Sequence, residues 1–240
     1  MLDDLLNQLM ALNPEEQLPE EVAIIAWSVA VLNLKRLDVY DWLMRGLDTH
    51  IANLDPNFRR QAHQFLLTCE LDGFPSDFES IDINWRPTGA VVARPKTKKQ
   101  FKAAEKQFEA LKCKAEEAEV HLEYAASQHR PSRLQKDVSQ ILAEMDIQFV
   151  EEYVDQRSGY SLDLLLSDKR TAIEVDGPSH YAAGTHRPLG NTNMKHRHLS
   201  QLGFDLRILP YWYIFVCVCA YFHVAFPLYI CTIYVVCVLN

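Results

Sequence analysis

What the sequence lacks excludes several classes of protein. Its six cysteines form no Cys-x-x-Cys pair, so neither a structural zinc site nor a redox dithiol is indicated, and a reducing compartment is expected. It has no Gly-rich phosphate loop and no His-Arg-Asp loop, which argues against a protein kinase. The net charge of -8 argues against a protein that coats nucleic acid through charge alone.

The N-terminus shows no targeting segment. Asp3 and Asp4 stand where a secretory or transit sequence needs Lys or Arg. Either the protein is not targeted from this end, or its natural N-terminus lies further upstream. The second is favoured because the first helix begins in the middle of an apolar pattern.

Basic residues are concentrated in the middle of the chain. Residues 96–136 carry ten basic and six acidic side chains, whereas residues 1–95 carry seven and fifteen, and residues 137–240 carry seven and eleven. If charge attracts a polyanion, the middle tract is the predicted place.

Residues 1–80 are predicted to form helical repeats. Apolar residues recur at helical spacing, and three pairs match 36 residues apart: Val22 with Phe58, Ala26 with Ala62, and Val29 with Phe65. A period of this length is typical of two-helix solenoid repeats, which would offer a surface to protein partners. An ordinary helical bundle is the alternative.

Residues 81–130 are predicted to form a linker and then one long polar helix. The stretch from Lys96 to Gln128 contains no Gly or Pro and is rich in Ala, Glu and Lys. A solvated spacer helix is the favoured interpretation. The alternative is an arm that contacts phosphates through lysines such as Lys98 and Lys99.

Residues 131–212 are predicted to form an α+β unit with the order αβββαβ. Pro131-Ser132 begins a helix with a clean apolar stripe, and three strands follow, the last two joined by a tight loop at Ser167–Arg170. Asn191 is expected to cap the second helix, and Gly203 suits the left-handed residue at its end. A final apolar strand runs from Phe204 to Pro210.

The hairpin in this unit gathers acidic residues. If its loop is symmetric, paired positions sum to 337, and Asp163 then lies opposite Glu174 with Asp176 on the same face. Like charges placed opposite one another are destabilising, unless a cation, a proton or a basic partner sits between them. Mg²⁺ is the ion that these three carboxylates are predicted to bind, because it prefers oxygen ligands.

The run from Ala172 to Tyr181 is similar to the signature of RAP domains. Further matching segments are Leu162-Asp163, Lys195–Leu199, Leu202–Phe204 and Leu209–Trp212. The resemblance implies an RNA-binding factor of mitochondria or chloroplasts that acts in rRNA or mRNA processing, maturation or stability, with helical repeats ahead of the RAP domain. The family includes apicomplexan factors and relatives of the Fas-activated serine/threonine kinase.

RAP domains in turn resemble the PD-(D/E)xK, or restriction-endonuclease-like, nuclease fold. On that resemblance Asp163 and Glu174 take the two acidic motif positions, whereas Asp176 stands where the motif has Lys. His180 could then act as the general acid or base. The site is either a Mg²⁺-dependent RNA endonuclease or a degenerate site that is retained for RNA binding, and the second is favoured.

Basic and aromatic side chains of the same region are the candidate RNA contacts. Lys195, Arg197 and Arg207 are predicted to contact phosphates, and Tyr181 to stack on an unpaired base. The alternatives are that the basic side chains are only solvated and that the aromatic rings pack against the protein.

Residues 213–240 form an atypical apolar tail. From Ile208 to Asn240 there is no Asp, Glu, Lys or Arg. The favoured interpretation is translation through a GT-rich intron start, given the Cys-Val-Cys run. A membrane span is disfavoured because Pro227 interrupts the tail and no basic cluster flanks it. Buried strands are the third interpretation of the tail. For the whole protein, a scaffold or membrane-anchored protein that neither binds nor cleaves RNA is the second alternative function.

Overall fold

The computed structural model describes residues 1–74, 98–116 and 131–213, and the chain divides into two units. The first, called here the helical unit, is Met1–Ala125, and the second, the sheet unit, is Ala126–Asn240. The side chains of residues 98–101, 103, 104 and 116 also lie outside the described part. The predicted linker, residues 117–130 and the apolar tail from residue 214 lie outside the described residues.

The helical unit contains five α-helices within the described residues. They are α1 (Leu2–Met10), α2 (Pro19–Val31), α3 (Leu37–His50), α4 (Pro56–Leu71) and α5 (Lys98–Glu116), with short 3-10 helices at Pro14–Glu16 and Ile51–Asn53. The starts of α2 and α4 have a local cause. Pro occupies the first position of α2 and α4, and the Asp55 carboxylate accepts hydrogen bonds from the first amides of α4.

Three aromatic side chains are part of the core of the helical unit. Tyr40, Trp42 and Phe65 are fully buried, and the Tyr40 and Phe65 rings meet edge to face with centroids 5.3 Å apart. The Trp42 indole donates a hydrogen bond to the Leu12 carbonyl at 2.9 Å. Helix α2 packs against α4, and the Trp27 indole donates to the Gln64 side chain at 2.8 Å. The repeat interpretation stays a prediction.

Helix α5 packs against α4 and corrects the expectation of a solvated spacer. Phe108, Leu111 and Ala115 are buried, and Lys112 Nζ lies 3.0 Å from a Glu70 carboxylate oxygen. The few apolar residues of this polar helix are spaced so that they share one face, and that face is covered. The polar composition of the helix did not by itself reveal this apolar face.

The sheet unit has the predicted αβββαβ order and the predicted α+β class. Its elements are α6 (Arg133–Glu144), β1 (Phe149–Val154), β2 (Ser161–Leu166), β3 (Thr171–Asp176), α7 (Gly190–Gln201) and β4 (Asp205–Pro210). The strands lie in the order β1-β2-β3-β4, antiparallel except for the parallel pair β3–β4, which α7 connects.

Local hydrogen bonds fix the ends of these elements. Ser132 and Gln135 form a reciprocal capping box at the start of α6. Gly203 has a φ of 95° just beyond α7, the left-handed conformation expected of a helix stop. The capping role expected of Asn191 is wrong: α7 begins at Gly190 after Leu189, with no side-chain cap, so Asn191 lies inside the first turn.

The predicted hairpin register is confirmed. Leu164 pairs with Ile173 and Leu165 with Ala172, so paired positions sum to 337. The loop has four residues, and the Asp168 carboxylate closes it by accepting hydrogen bonds from the Arg170 and Thr171 amides at 2.8 Å each. Because this turn fixes the register of β2 and β3, it also fixes which side chains of the hairpin face α6 and which face α7.

The two faces of the sheet differ in chemistry. On one face, Val138 and Leu142 of α6 pack with Leu164, Ile173, Val175 and Leu209 in a buried apolar cluster. Because successive side chains of a strand alternate in direction, Glu174 and Asp176 lie on the opposite face, where α7 contacts them. The fold therefore places two acidic residues beneath a helix.

Candidate functional site

The acidic residues of the hairpin lie in different environments. Continuing the register by one residue places Asp163 opposite Glu174, and Asp163 is half-buried. Its Oδ2 accepts a hydrogen bond from the Val175 amide at 2.7 Å. Glu174 and Asp176 are only 1% exposed. Burial raises the pKa of Asp163, and Lys195 and the Val175 amide oppose that rise.

Glu174 is paired with a lysine from α7. Lys195 Nζ donates to Glu174 Oε2 at 2.5 Å, and the lysine side chain is 23% exposed. Burial raises the pKa of Glu174 to about 7, against the lowering effect of Lys195. Near neutral pH this carboxyl group therefore exchanges between its charged and neutral forms, as general acids and bases do.

Asp176 is the centre of a polar cluster. His180 Nδ1 lies 2.9 Å from Oδ1, the Tyr181 hydroxyl donates to Oδ2 at 3.1 Å, and His196 Nε2 lies 3.4 Å from Oδ2. Burial alone would raise the pKa of Asp176, but the neighbouring His180 and His196 rings hold it below its usual range. Asp176 in turn raises the pKa of His180, so this pair favours its ionic form.

A family comparison assigns this part of the chain. Residues 173–217 match the family model described as RAP domain. The chain contains a RAP domain. The match begins within β3 and includes α7 and β4. Glu174, Asp176, Lys195 and His196 therefore all belong to the RAP domain, and the resemblance to RAP domains seen in the sequence is confirmed. The resemblance to the PD-(D/E)xK fold stays a prediction.

A relative from rice shares this region. The chain is 35% identical over 80 residues to a protein of Oryza sativa subsp. japonica named "RAP domain-containing protein, chloroplastic". The match covers 33% of this chain and 12% of the relative, so the chain spans only a small part of that protein's length.

The predicted RNA contacts of the RAP domain are engaged with protein groups. Lys195 binds Glu174, and Arg207 forms an ion pair with Asp205 at 2.9 Å. Tyr181 is 7% exposed, and its ring meets Trp212 edge to face with centroids 4.5 Å apart. Burial and the nearby Asp176 raise the pKa of the Tyr181 hydroxyl. Arg197 is half-buried, and the side chains of Lys98 and Lys99 lie outside the described part.

The four histidines of the RAP region do not come together. His180 and His196 both approach Asp176, whereas the His198 ring nitrogen Nδ1 lies 3.0 Å from the Tyr160 hydroxyl and His186 stacks on Trp212 at 4.1 Å. The structure therefore does not bring these four side chains to one shared site.

The structure groups three potential metal ligands within the described residues. One donor atom each from Glu174, Asp176 and His196 lie within 4.8 Å of one another. The sequence suggested a different set, with Asp163 in place of His196. The two roles that sequence reasoning missed, Lys195 as the partner of Glu174 and His196 as a neighbour of Asp176, come from adjacent positions of α7. Their proximity to β3 has no signal in residue spacing.

The described helices include none that is both long enough and apolar enough to cross a membrane. The apolar tail after Tyr213 lies outside the described residues, so the membrane and intron interpretations stay predictions.

Proposed function

We propose that this protein binds RNA in a chloroplast or mitochondrion and acts in the processing, maturation or stability of rRNA or mRNA. The RAP domain supports RNA binding, and the rice relative, which is named as chloroplastic, supports an organellar site. The helical unit would add contacts to protein partners.

The observation that carries this proposal is the neutralisation of the acidic face beneath α7. Free carboxylates would repel a phosphate backbone. Glu174 and Asp176, however, are 1% exposed and are paired with Lys195 and His180. The part of the chain that follows β3 is rich in basic residues: residues 177–213 contain four Lys or Arg and one Asp.

These four basic residues are the phosphate contacts proposed for the RAP domain. Arg187 is exposed, and Lys195, Arg197 and Arg207 are half-buried. A long side chain that is half-buried already has fewer rotamers. It therefore loses less conformational entropy when it contacts a phosphate. We expect these contacts to position the backbone of a single strand rather than to read its sequence.

RNA binding should depend on salt and on these arginines. We expect the 240-residue chain to bind labelled single-stranded RNA in EDTA, with an affinity that falls as salt rises from 50 to 200 mM. Replacing Arg187 and Arg197 together by Ala should weaken binding at least fivefold and reduce the slope of log affinity against log salt by about 1.4, since each phosphate contact on a single strand contributes about 0.7. Fluorescence anisotropy measures both quantities.

The matched control is Lys169→Ala, which removes a basic side chain from the exposed β2–β3 turn. Its affinity should stay within twofold of the unaltered chain. An equal loss in this control, or no binding at 50 mM salt, would contradict the proposed contacts.

A second candidate, a metal-dependent RNA endonuclease of PD-(D/E)xK type, is favoured by one specific contact. The sequence has Asp176 where the nuclease motif has Lys, but Lys195 brings an ammonium group onto Glu174 from α7. An ammonium beside a carboxylate can orient water or stabilise negative charge that develops on a phosphate. The position of Lys195 thus offers the chemistry that the motif position lacks.

Cleavage of the same RNA distinguishes the two candidates. We expect binding to persist in EDTA. Any cleavage in Mn²⁺ should fall at least tenfold in both Asp163→Ala and Lys195→Met, whereas Lys169→Ala should leave it unchanged. Gel analysis of end-labelled RNA measures this. Binding without Mn²⁺-dependent cleavage, in a sample shown to be folded, would reject the nuclease and leave the RNA-binding proposal intact.

A further inference from the structure

We propose that Glu174, Asp176 and His196 form a site for one divalent ion of the Mn²⁺ and Zn²⁺ class. The two carboxylates come from alternate positions of β3, and the imidazole comes from α7. One donor atom of each lies within 4.8 Å of the others, so a small movement suffices to bring all three to one ion. The inference goes beyond RNA binding because the ion requires no RNA.

An unsatisfied oxygen points to a missing ligand. Glu174 is 1% exposed, and Lys195 binds its Oε2, while its Oε1 has no hydrogen-bond partner among the described residues. A buried carboxylate oxygen without a donor is costly, so such atoms call for a proton, a water or a cation. A metal ion can take Oε1 without displacing Lys195 from Oε2.

His196 is oriented in a similar way. Its Nε2 is buried, and it makes no hydrogen bond of acceptable geometry although Asp176 Oδ2 lies 3.4 Å away. A neutral imidazole presents a lone pair on one ring nitrogen, and this lone pair is the group that binds a metal. An ion between Nε2 and the two carboxylates would satisfy donor atoms that the protein alone leaves poorly matched.

The mixed donor set determines the class of ion. Mg²⁺ favours oxygen ligands and retains most of its water, whereas imidazole suits Zn²⁺ and related ions; Mn²⁺ favours the two carboxylates and also accepts an imidazole nitrogen. A set of oxygen ligands alone would include Asp163, but Asp163 Oδ2 already accepts a hydrogen bond from the Val175 amide. The two carboxylates of the proposed site bring enough negative charge to balance a divalent cation.

The test measures metal binding by the full 240-residue chain in the absence of RNA. By isothermal titration, Mn²⁺ and Zn²⁺ should each bind with one ion per chain, and Mg²⁺ should bind at least tenfold more weakly. His196→Ala and His196→Gln should each weaken Mn²⁺ binding at least tenfold, because each removes the nitrogen ligand. His186→Ala, an exposed histidine outside the cluster, should stay within threefold and serves as the matched control.

Two further measurements test which side chains bind the ion. Pulsed EPR of Mn²⁺ bound to the unsubstituted chain should show coupling to an imidazole nitrogen, and this result does not depend on whether a variant folds. Asp163→Asn should lose less affinity than His196→Gln. No binding of Mn²⁺ or Zn²⁺ at millimolar concentration, no nitrogen coupling, or a larger loss in Asp163→Asn would each overturn the site. The RNA assays in EDTA remain independent of this outcome.

Discussion

Replacing Glu174 by Gln should remove a loss of stability that the unsubstituted sheet unit undergoes as pH rises. Burial raises the pKa of Glu174 to about 7 from an ordinary value of 4.5. The folded state therefore holds this proton more tightly than the unfolded state. The contribution to stability is full below pH 4.5, declines as pH rises, and is lost above pH 7.

The size of the effect follows from the shift. Each pKa unit corresponds to about 1.4 kcal/mol, so the free energy of unfolding should fall by roughly 3 kcal/mol across this range because of Glu174. The difference between the unsubstituted chain and Glu174→Gln should change by that amount between pH 4.5 and pH 8. Other titrating groups cancel in the difference, and EDTA removes competition from metal ions.

Hydrogen exchange of the β3 amides, corrected for the intrinsic rate at each pH, reports the opening free energy of this unit. Glu151→Gln is the matched control, because Glu151 is an exposed glutamate on β1. Its pH dependence should follow that of the unsubstituted chain. If the pH dependence of Glu174→Gln also followed that of the unsubstituted chain, the interpretation of Glu174 as a buried group with a raised pKa would be wrong.

Replacing Asp176 by Ala should destabilise the sheet unit by about 3 kcal/mol. The change removes the common partner of His180, His196 and the Tyr181 hydroxyl. Tyr181 is buried and would keep its hydroxyl without that acceptor, and His196 would lose its nearest negative charge. Breaking a buried charged network by deleting one member typically costs about 3–5 kcal/mol.

The pH dependence of this effect has a defined sign. The lowered pKa of Asp176 contributes stability above its ordinary value of 3.8, and this contribution is lost as pH falls. The raised pKa of His180 contributes stability that is full below 6.5 and is lost as pH rises through the raised value. The cost of Asp176→Ala should therefore be greatest between about pH 4 and 6.5.

Urea denaturation in EDTA measures the cost, and NMR titration of the His180 ring should show its pKa falling in Asp176→Asn. Asp205→Asn is the control, since it removes a carboxylate from an exposed ion pair with Arg207, where a cost of at most about 1 kcal/mol is expected. A loss in Asp176→Ala no larger than in Asp205→Asn would show that the cluster does not stabilise the fold.

Much of the sheet unit could be predicted because its determinants are local. The four-residue turn closed by Asp168 fixes the register of β2 and β3, and the alternation of the strand then places Glu174 and Asp176 on one face. The signature run from Ala172 to Tyr181 contains both acids, so the family resemblance and the register indicated the same residues.

The helical unit shows where composition misleads. The polar composition of α5 suggested a solvated helix, yet Phe108 and Leu111 are buried against the unit. Two or three apolar residues at helical spacing are enough to dock a helix when its neighbour offers a complementary face. That face belongs to residues far away along the chain, and sequence spacing within α5 does not reveal it.

By itself the sequence determined the order of the elements, the register of the hairpin and the RAP identity of its C-terminal part. Only the tertiary structure decided the partners of the acidic residues. Lys195 and His196 reach Glu174 and Asp176 because of how α7 is rotated over the sheet, and Asp163 is turned to the Val175 amide instead. Strand alternation repeats every two residues and can be counted, whereas the rotation of a crossover helix results from packing across the whole unit.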